Sequence, residues 1–571
     1  MTTTRNRIPR RTLLGVSACL AAIAIGGVLR PSTSTARTTS RTQPSTARAD
    51  SKTKSPAPTT APAAEITLAQ PDSLALLATA AVMALFKSEG DAVWPGYDLA
   101  KRTVLVYLPD RWAVLLNAPH EVEGFTVYSK TWPPLGVPAL VHQGPFEKLA
   151  GQLEFNLTID GLKTVAIAPT QGLRAGRRAA IGLGFTFITH EAFHQFQRDT
   201  FKSLANDQPE EEYPILDSEN TALASLEMHT LMDAIRAIAR ADTARVREFA
   251  EEFLAVRRER WHRRPDDIPL FERPQELMEG SAQYVQVRCV GLMGDLCGGS
   301  LAGKAPPECA VFAGVTAELY LLSDFEDRIG DGVIDPIDMA RNRVYPVGAA
   351  LGMLLDFFHV EWKQRISDAV TSPGLAELLD QGIHWDSAMG DTLLAEAKAN
   401  YGYDGLRAIC ERRVQTYPVE YEMGVDSLMS APGYHVSVEV PISGVSRSRA
   451  CEGRRLVLEK PTRSFSKKCH VYTLKHVTKD DLFVEIHESA IAEENSTDDR
   501  ARRVLFVAPD VETADLDGRS IDISARGDYS FSRLNLAGSS FQIRYDGVGT
   551  LAVDGKRITV RLAPPPPPEK K

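Results

Sequence analysis

The chain is poor in cysteine, in aromatic residues and in surplus positive charge. Seven cysteines in 571 residues are too few for a disulfide-dense miniprotein, and none stands in CxxC spacing, which argues against a zinc knuckle. Acidic residues outnumber basic ones 74 to 65, giving a formal net charge of −9. A nucleic-acid binder led by a basic surface is thereby set aside. Long apolar runs are missing except for one near the N-terminus, so no other segment is suited to span a membrane as a helix. There is no internal repeat and no glycine-rich loop of nucleotide-binding form. Ser281, Ser300 and the scattered histidines form no nucleophile constellation. The remaining composition, 43% apolar and 24% charged, is globular, and the length suits roughly one and a half to four domains.

The one apolar run, 13–29, follows Arg5, Arg7, Arg10 and Arg11. A basic flank before an apolar run is the layout of a secretory signal. The run is also near the lower limit for spanning a bilayer, so a retained membrane anchor is the alternative. Residues 1–29 are read as signal peptide or anchor. Residues 30–64, almost all Ser, Thr, Pro, Ala and Arg, cannot offset ordering entropy by burial and read as a disordered linker. The chain is therefore expected to be exported to periplasm, cell envelope or exterior, with a membrane tether through 1–29 if the leader is kept. Export implies oxidising surroundings. Cys451 and Cys469 bracket adjacent strand-like segments and are the first expected disulfide; a pair among Cys289, Cys297 and Cys309 is the next.

The folded part divides into unlike halves. From 65 to 430 the pattern is mostly helical after a few early strands at 103–108, 112–116, 125–128 and 164–168. Helices are expected near 178–204, 217–240, 243–262, 274–290, 346–366 and 374–381. From 431 to 564 short strands alternate with turn-rich gaps, at 435–440, 455–460, 470–476, 482–487, 504–507, 520–524, 529–534, 541–545 and 558–562. This reads as a sandwich or small barrel, taken here as sandwich-like. Residues 565–571 form a proline-rich, solvated tail.

One motif carries chemistry. Residues 190–194 read His190-Glu191-Ala192-Phe193-His194, an HExxH sequence. On a helix, positions i and i+4 share one face, so both imidazoles can reach one zinc ion, and Glu191 stands where a general base would take a proton from the attacking water. Ile181, Leu183, Phe185, Ile188, Phe193 and Phe196 surround the motif, which places it on a largely buried helix. There the histidines need either a metal or core carbonyls as partners. Three protein ligands and an open position are usual for catalytic zinc. A metzincin would have glycine and histidine at positions held here by Gln197 and Thr200, so that class is excluded. The third ligand is sought downstream: Glu276 or Glu279 at the start of one helix, Glu227 or His229 within another, or Glu219 at that helix's start.

An HExxH helix followed by Glu279-Gly280-Ser281-Ala282-Gln283-Tyr284 resembles the gluzincin (MA clan) metallopeptidases, the group with thermolysin-like and aminopeptidase-like members. More loosely, residues 178–366 are similar to uncharacterised bacterial gluzincin-like proteins. The resemblance implies an α+β fold with a mainly helical, thermolysin-like zincin domain, zinc held by His190, His194 and Glu279, and Glu191 as base. It also implies that 164–168 is the sheet-edge strand along which substrate lies. The 85 residues from His194 to Glu279 depart from the best-known gluzincins and require an inserted helical pair at about 217–262. Tyr345 and Tyr284 are the candidate hydrogen-bond donors to the reacting group.

Two weaker signals accompany the motif. Asp327, Asp331, Asp335 and Asp338 have partial calcium-loop spacing, with a plain acidic turn as the alternative. Arg257, Arg258, Arg260, Arg263 and Arg264 cluster around Trp261, as a solvated helix end or a site for an anionic partner. The expected function is an exported zinc peptidase acting on a peptide or protein substrate. A catalytically inactive zincin-fold binding or envelope protein is the alternative.

Overall fold

The computed structural model describes residue 85 and residues 93–99, 102–108, 112–127, 139–144, 156–167, 177–202, 210, 213–298, 311–329, 331–368, 373–458, 462–477, 479, 481–498 and 500–563. The expected leader, linker and proline-rich tail lie outside the described residues. Among the described residues no helix is long and apolar enough to cross a membrane.

Six strands come first: β1 (Thr103–Leu108), β2 (Trp112–Leu116), β3 (Thr126–Val127), β4 (Ala139–Gln143), β5 (Asn156–Ile159) and β6 (Leu162–Ile167). They form one sheet in the order β3-β4-β2-β1-β6-β5. β1 and β6 pair in parallel, and the other neighbours are antiparallel. Side chains alternate across a strand, so Val104, Val106, Val114 and Val165 enter the large helical core, while Leu105, Tyr107, Leu115 and Ala166 enter a small cluster on the other face. β6 holds the stretch expected at the sheet edge, but it lies inside the sheet because β5 folds back on it as a hairpin; β5 is the edge.

The helices follow: α1 (Arg177–Thr200), α2 (Ser218–Ala239), α3 (Thr243–Arg263), α4 (Ile268–Gln275), α5 (Ser281–Gly298), α6 (Ala317–Arg328), α7 (Val344–Phe357), α8 (Trp362–Asp368), α9 (Leu375–Ile383), α10 (Gly390–Asn400) and α11 (Tyr403–Ser430). α2 and α3 occupy the stretch between the HExxH helix and Glu279. Asp217 caps α2 by accepting from the Asn220 N–H, and Asp242 caps α3 by accepting from Arg245, each satisfying a donor the helix start leaves open. The single helix expected over 346–366 is two, because His359 turns left-handed (φ 55°) between α7 and α8.

Between α4 and α5 the chain makes a π turn, Glu276–Gly280. Pro274, near the end of α4, lacks the N–H an α-helix needs and crowds the preceding turn, and the wider turn begins two residues on. The turn lies directly against α7: a Cβ at Gly280 would sit 2.6 Å from the Gly348 Cα, so glycine at both positions permits the approach.

Ten strands complete the chain: β7 (Tyr434–Pro441), β8 (Val445–Leu458), β9 (Arg463–His476), β10 (Leu482–Asn495), β11 (Ala501–Ala508), β12 (Thr513–Leu516), β13 (Arg519–Ser520), β14 (Gly527–Gly538), β15 (Phe541–Asp554) and β16 (Arg557–Leu562). They belong to one sheet that closes on itself, as in the small barrel that stood beside the sandwich in the sequence reading. β10 pairs with β15 through Leu482–Ile486 and with β11 through Ala492–Asn495. The change of partner falls at left-handed Glu488 and a register shift between Ser489 and Ile491. The ring β10-β11-β7-β16-β15 is thereby closed, with β8–β9 and β12–β14 as extensions. Cys451 and Cys469 form the disulfide across β8 and β9. Tyr417, Tyr421 and Leu428 of α11 pack on Leu456, Leu458 and Phe465 of this sheet, joining the two halves.

Candidate metal centre

α1 is anchored in the core by Ile181, Phe185, Ile188, Phe193 and Phe196, which leaves the next face of the helix to His190 and His194. The two rings lie 4.7 Å apart by centroid, and their Nε2 atoms are 3.1 Å apart. Glu279, on the π turn, brings Oε2 to 3.1 Å from His194 Nε2 and 3.3 Å from His190 Nε2. The carboxylate of Glu191 is on the same side of α1: one ligand-type atom from each of His190, Glu191 and His194 fits within 4.8 Å.

In an α-helix residues three apart share a face. The wider π turn separates Glu276 from Glu279, and the two carboxylates take different directions. Glu279 meets the histidines, while Glu276 meets Arg257 at 3.0 Å. The triangle His190 Nε2, His194 Nε2, Glu279 Oε2 has the dimensions a metal needs. Bonds of about 2.0–2.2 Å in a tetrahedral zinc site put neighbouring ligand atoms roughly 3.3–3.5 Å apart, close to the edges found.

The three groups are also coupled by charge. Burial works against a charged His194, but Glu279, with help from Glu191 and Gln197, raises its imidazole to about 9. Burial alone would raise the Glu279 carboxyl; the two histidines overcome it and hold it well below the usual carboxylate range. His194 and Glu279 thus favour each other's charged forms. Tyr345 stacks on His190 (5.5 Å between centroids, 26° between planes), with its phenol near enough to Glu279 to feel that carboxylate's charge. Burial, with Glu279 next in importance, raises its phenol. Burial opposes the charge on Arg341, but Tyr345 and Glu279 nearby raise its guanidinium.

The other sequence candidates are elsewhere. Glu227 accepts both Arg257 (2.9 and 3.1 Å) and Arg260 (2.7 and 3.1 Å) in a fully buried cluster that also holds Arg343, Glu272 and Glu276. His229 donates Nε2–H to the Gly332 carbonyl at 2.7 Å, and Glu219 accepts from the Tyr403 hydroxyl at 2.9 Å. Tyr284 donates to Asp356 among Trp94, Trp362 and Lys363. The arginines around Trp261 are neither a solvated end nor an anion site as a group: Arg257 and Arg260 point inward and are neutralised by Glu227, Glu272 and Glu276. In the acidic loop at 327–338, described carboxylates are engaged by protein groups. Asp331 pairs with Arg413, and Asp335 caps Ile337 and accepts from Tyr417. Cys289 is a buried thiol; Cys309 lies outside the described residues.

Sequence reasoning missed Gln197, used there only to exclude a class. It is fully buried, its Oε1 lies 2.7 Å from His194 Nδ1, and its amide reaches the segment that carries Glu279. The i, i+3 spacing from His194 was the available signal. No protein-family model, curated protein or solved structure matches this chain. What the chain itself presents is a His-Glu-x-x-His helix compatible with holding a metal ion, with Glu279 laid across both histidines.

Proposed function

We propose that the chain is an exported zinc-dependent peptidase of gluzincin type, with a zincin-like helical domain followed by a β domain. The observation that carries this reading is the contact of one Glu279 oxygen with both histidine Nε2 atoms, at 3.1 and 3.3 Å. His190, His194 and Glu279 would hold the zinc. When bound, the ion polarises a carbonyl oxygen and lowers the pKa of a water toward about 7.

The chain's own residues do the rest. Glu191 takes the proton of the attacking water on its carboxylate and returns it to the leaving amine. Tyr345 holds the His190 ring by stacking on it. The Cys451–Cys469 disulfide and the basic-then-apolar leader support an exported chain.

The test is metal content and hydrolysis of a quenched-peptide library by wild type and Glu191→Gln. One zinc per chain in both proteins, with hydrolysis in wild type alone, is the expected result. No zinc after reconstitution overturns the metal centre. Zinc without hydrolysis of any peptide in wild type makes the chain a zincin-like binding or envelope protein instead.

A further inference from the structure

We infer that Gln197 is the positioning residue of this metal centre: a single amide fixes which nitrogen of His194 carries the proton and ties together the two segments that supply ligands. The inference rests on the metal-binding reading above.

The argument is one of donors and acceptors. Ser281 Oγ donates to the Leu277 carbonyl at 2.6 Å, so its hydrogen is spent and its lone pairs face outward. Gln197 Nε2 lies 2.8 Å from Ser281 Oγ and 2.8 Å from the Met278 carbonyl. A carbonyl only accepts, and the serine hydrogen is engaged, so the two amide hydrogens of Gln197 go to these two oxygens. The flipped amide would set oxygen against oxygen at 2.8 Å, which excludes it. Gln197 Oε1 is therefore the atom 2.7 Å from His194 Nδ1, and an amide oxygen can only accept. His194 must carry a proton on Nδ1. Its Nε2 is then free to turn a lone pair toward the point shared with His190 and Glu279.

The same amide is a mechanical tie. His194 and Gln197 are one turn apart on α1. Met278 immediately precedes Glu279, and Ser281 follows it by two residues. Gln197 thus grips the π turn on both sides of Glu279 from the helix that carries both histidines. Gln197 and Ser281 have no solvent exposure, so water does not compete for these bonds. An outer partner of this kind orients a metal-bound histidine and raises its basicity, and losing one weakens metal binding by about 10–100-fold.

The experiment compares wild type with Gln197→Met, which keeps length and volume and removes all three bonds. Zinc affinity is measured by chelator competition, and folding is checked by circular dichroism of the metal-free proteins. In parallel, histidine labelled with ¹⁵N reports which His194 nitrogen is protonated in zinc-loaded wild type. The expected result is affinity about 10–100-fold weaker in folded Gln197→Met, with wild-type His194 protonated on Nδ1. Affinity within twofold of wild type overturns the inference while leaving the metal centre intact. If Gln197→Met fails to fold, the nitrogen signal decides: a zinc-loaded His194 protonated on Nε2 overturns the inference. A wild type that takes up no zinc overturns the metal reading itself.

Discussion

Replacing Glu227 by glutamine separates the two roles a buried carboxylate can have in this protein. Glu227 is fully buried and lies within 3.1 Å of both Arg257 and Arg260, with Arg343 at 3.7 Å. The cluster balances three guanidinium groups against Glu227, Glu272 and Glu276. The glutamine has the same shape but removes one negative charge, and it turns an NH₂ toward a guanidinium that has no acceptor to offer. Breaking a buried pair from one side costs about 3–5 kcal/mol, a large part of a typical stability of about 5–15 kcal/mol. At roughly 2–4 °C per kcal/mol, the melting temperature should fall by roughly 6–20 °C. Calorimetry reads that change, and a zinc titration of the folded variant should give wild-type stoichiometry, because the Glu227 carboxylate is taken up by Arg257 and Arg260. Glu279→Gln makes the same charge change and should instead lose zinc. A Glu227→Gln protein that melts like wild type refutes the charge-balance argument. One that loses zinc without losing stability makes Glu227 the third ligand and refutes the site.

Two further outcomes follow from packing and titration. Gly348→Ala places a Cβ 2.4 Å from the Gly280 Cα and 2.9 Å from the Glu276 carbonyl oxygen; backbone on both sides leaves nothing to rotate away. A cost of about 1–3 kcal/mol is expected, together with weaker zinc binding because Glu279 adjoins Gly280. Thermal unfolding and chelator competition check both, and wild-type values in the two assays would remove the close approach as a determinant of the site. Burial, with Glu248, Glu396 and Asp233 nearby and a hydrogen bond from Asn400 opposing, raises the Glu252 carboxyl from 4.5 to about 7. The native state then binds this proton more tightly than the unfolded state, so stability from this group is greatest below pH 4.5 and declines up to about pH 7. Glu252→Gln should therefore melt higher than wild type at pH 8 and equal to it near pH 4.5. A variant less stable at pH 8 would show that the carboxylate is compensated.

The sequence made local features legible. β1 and β2 stand at 103–108 and 112–116 as read, since two short, continuously apolar runs around Pro109-Asp110 declare themselves over a dozen positions. The HExxH helix and the Glu-Gly-x-Ala-x-Tyr segment were also local patterns, and the fold brings Glu279 to the histidines. What escaped were partnerships between distant residues. Arg257 and Arg260 read as solvated because their acids are on other segments, at 227, 272 and 276. Gln197 read as a departure from another family's pattern, because its partners Met278 and Ser281 are some eighty positions away. The strands of the β domain read too short: β10 and β15 each run for 14 residues through a change of partner, where alternation falters. The π turn has no simple sequence signature beyond Pro274, and without it the two glutamates could not be told apart by face.

The closed ring of the β domain has a consequence for how the chain is made. Its first strand, β7, and its last, β16, are neighbours, paired in parallel from Arg557↔His435 to Arg561↔Glu439. A domain shut by its two ends cannot close while it is being synthesised. The ring stays open until the final strand has emerged, and β7 waits with one edge unsatisfied while the intervening strands appear. Contacts this far apart in sequence form slowly, and an unpaired edge invites other chains. A ribosome stalled near residue 550 should therefore display an open, protease-sensitive β domain behind a helical domain that has already folded.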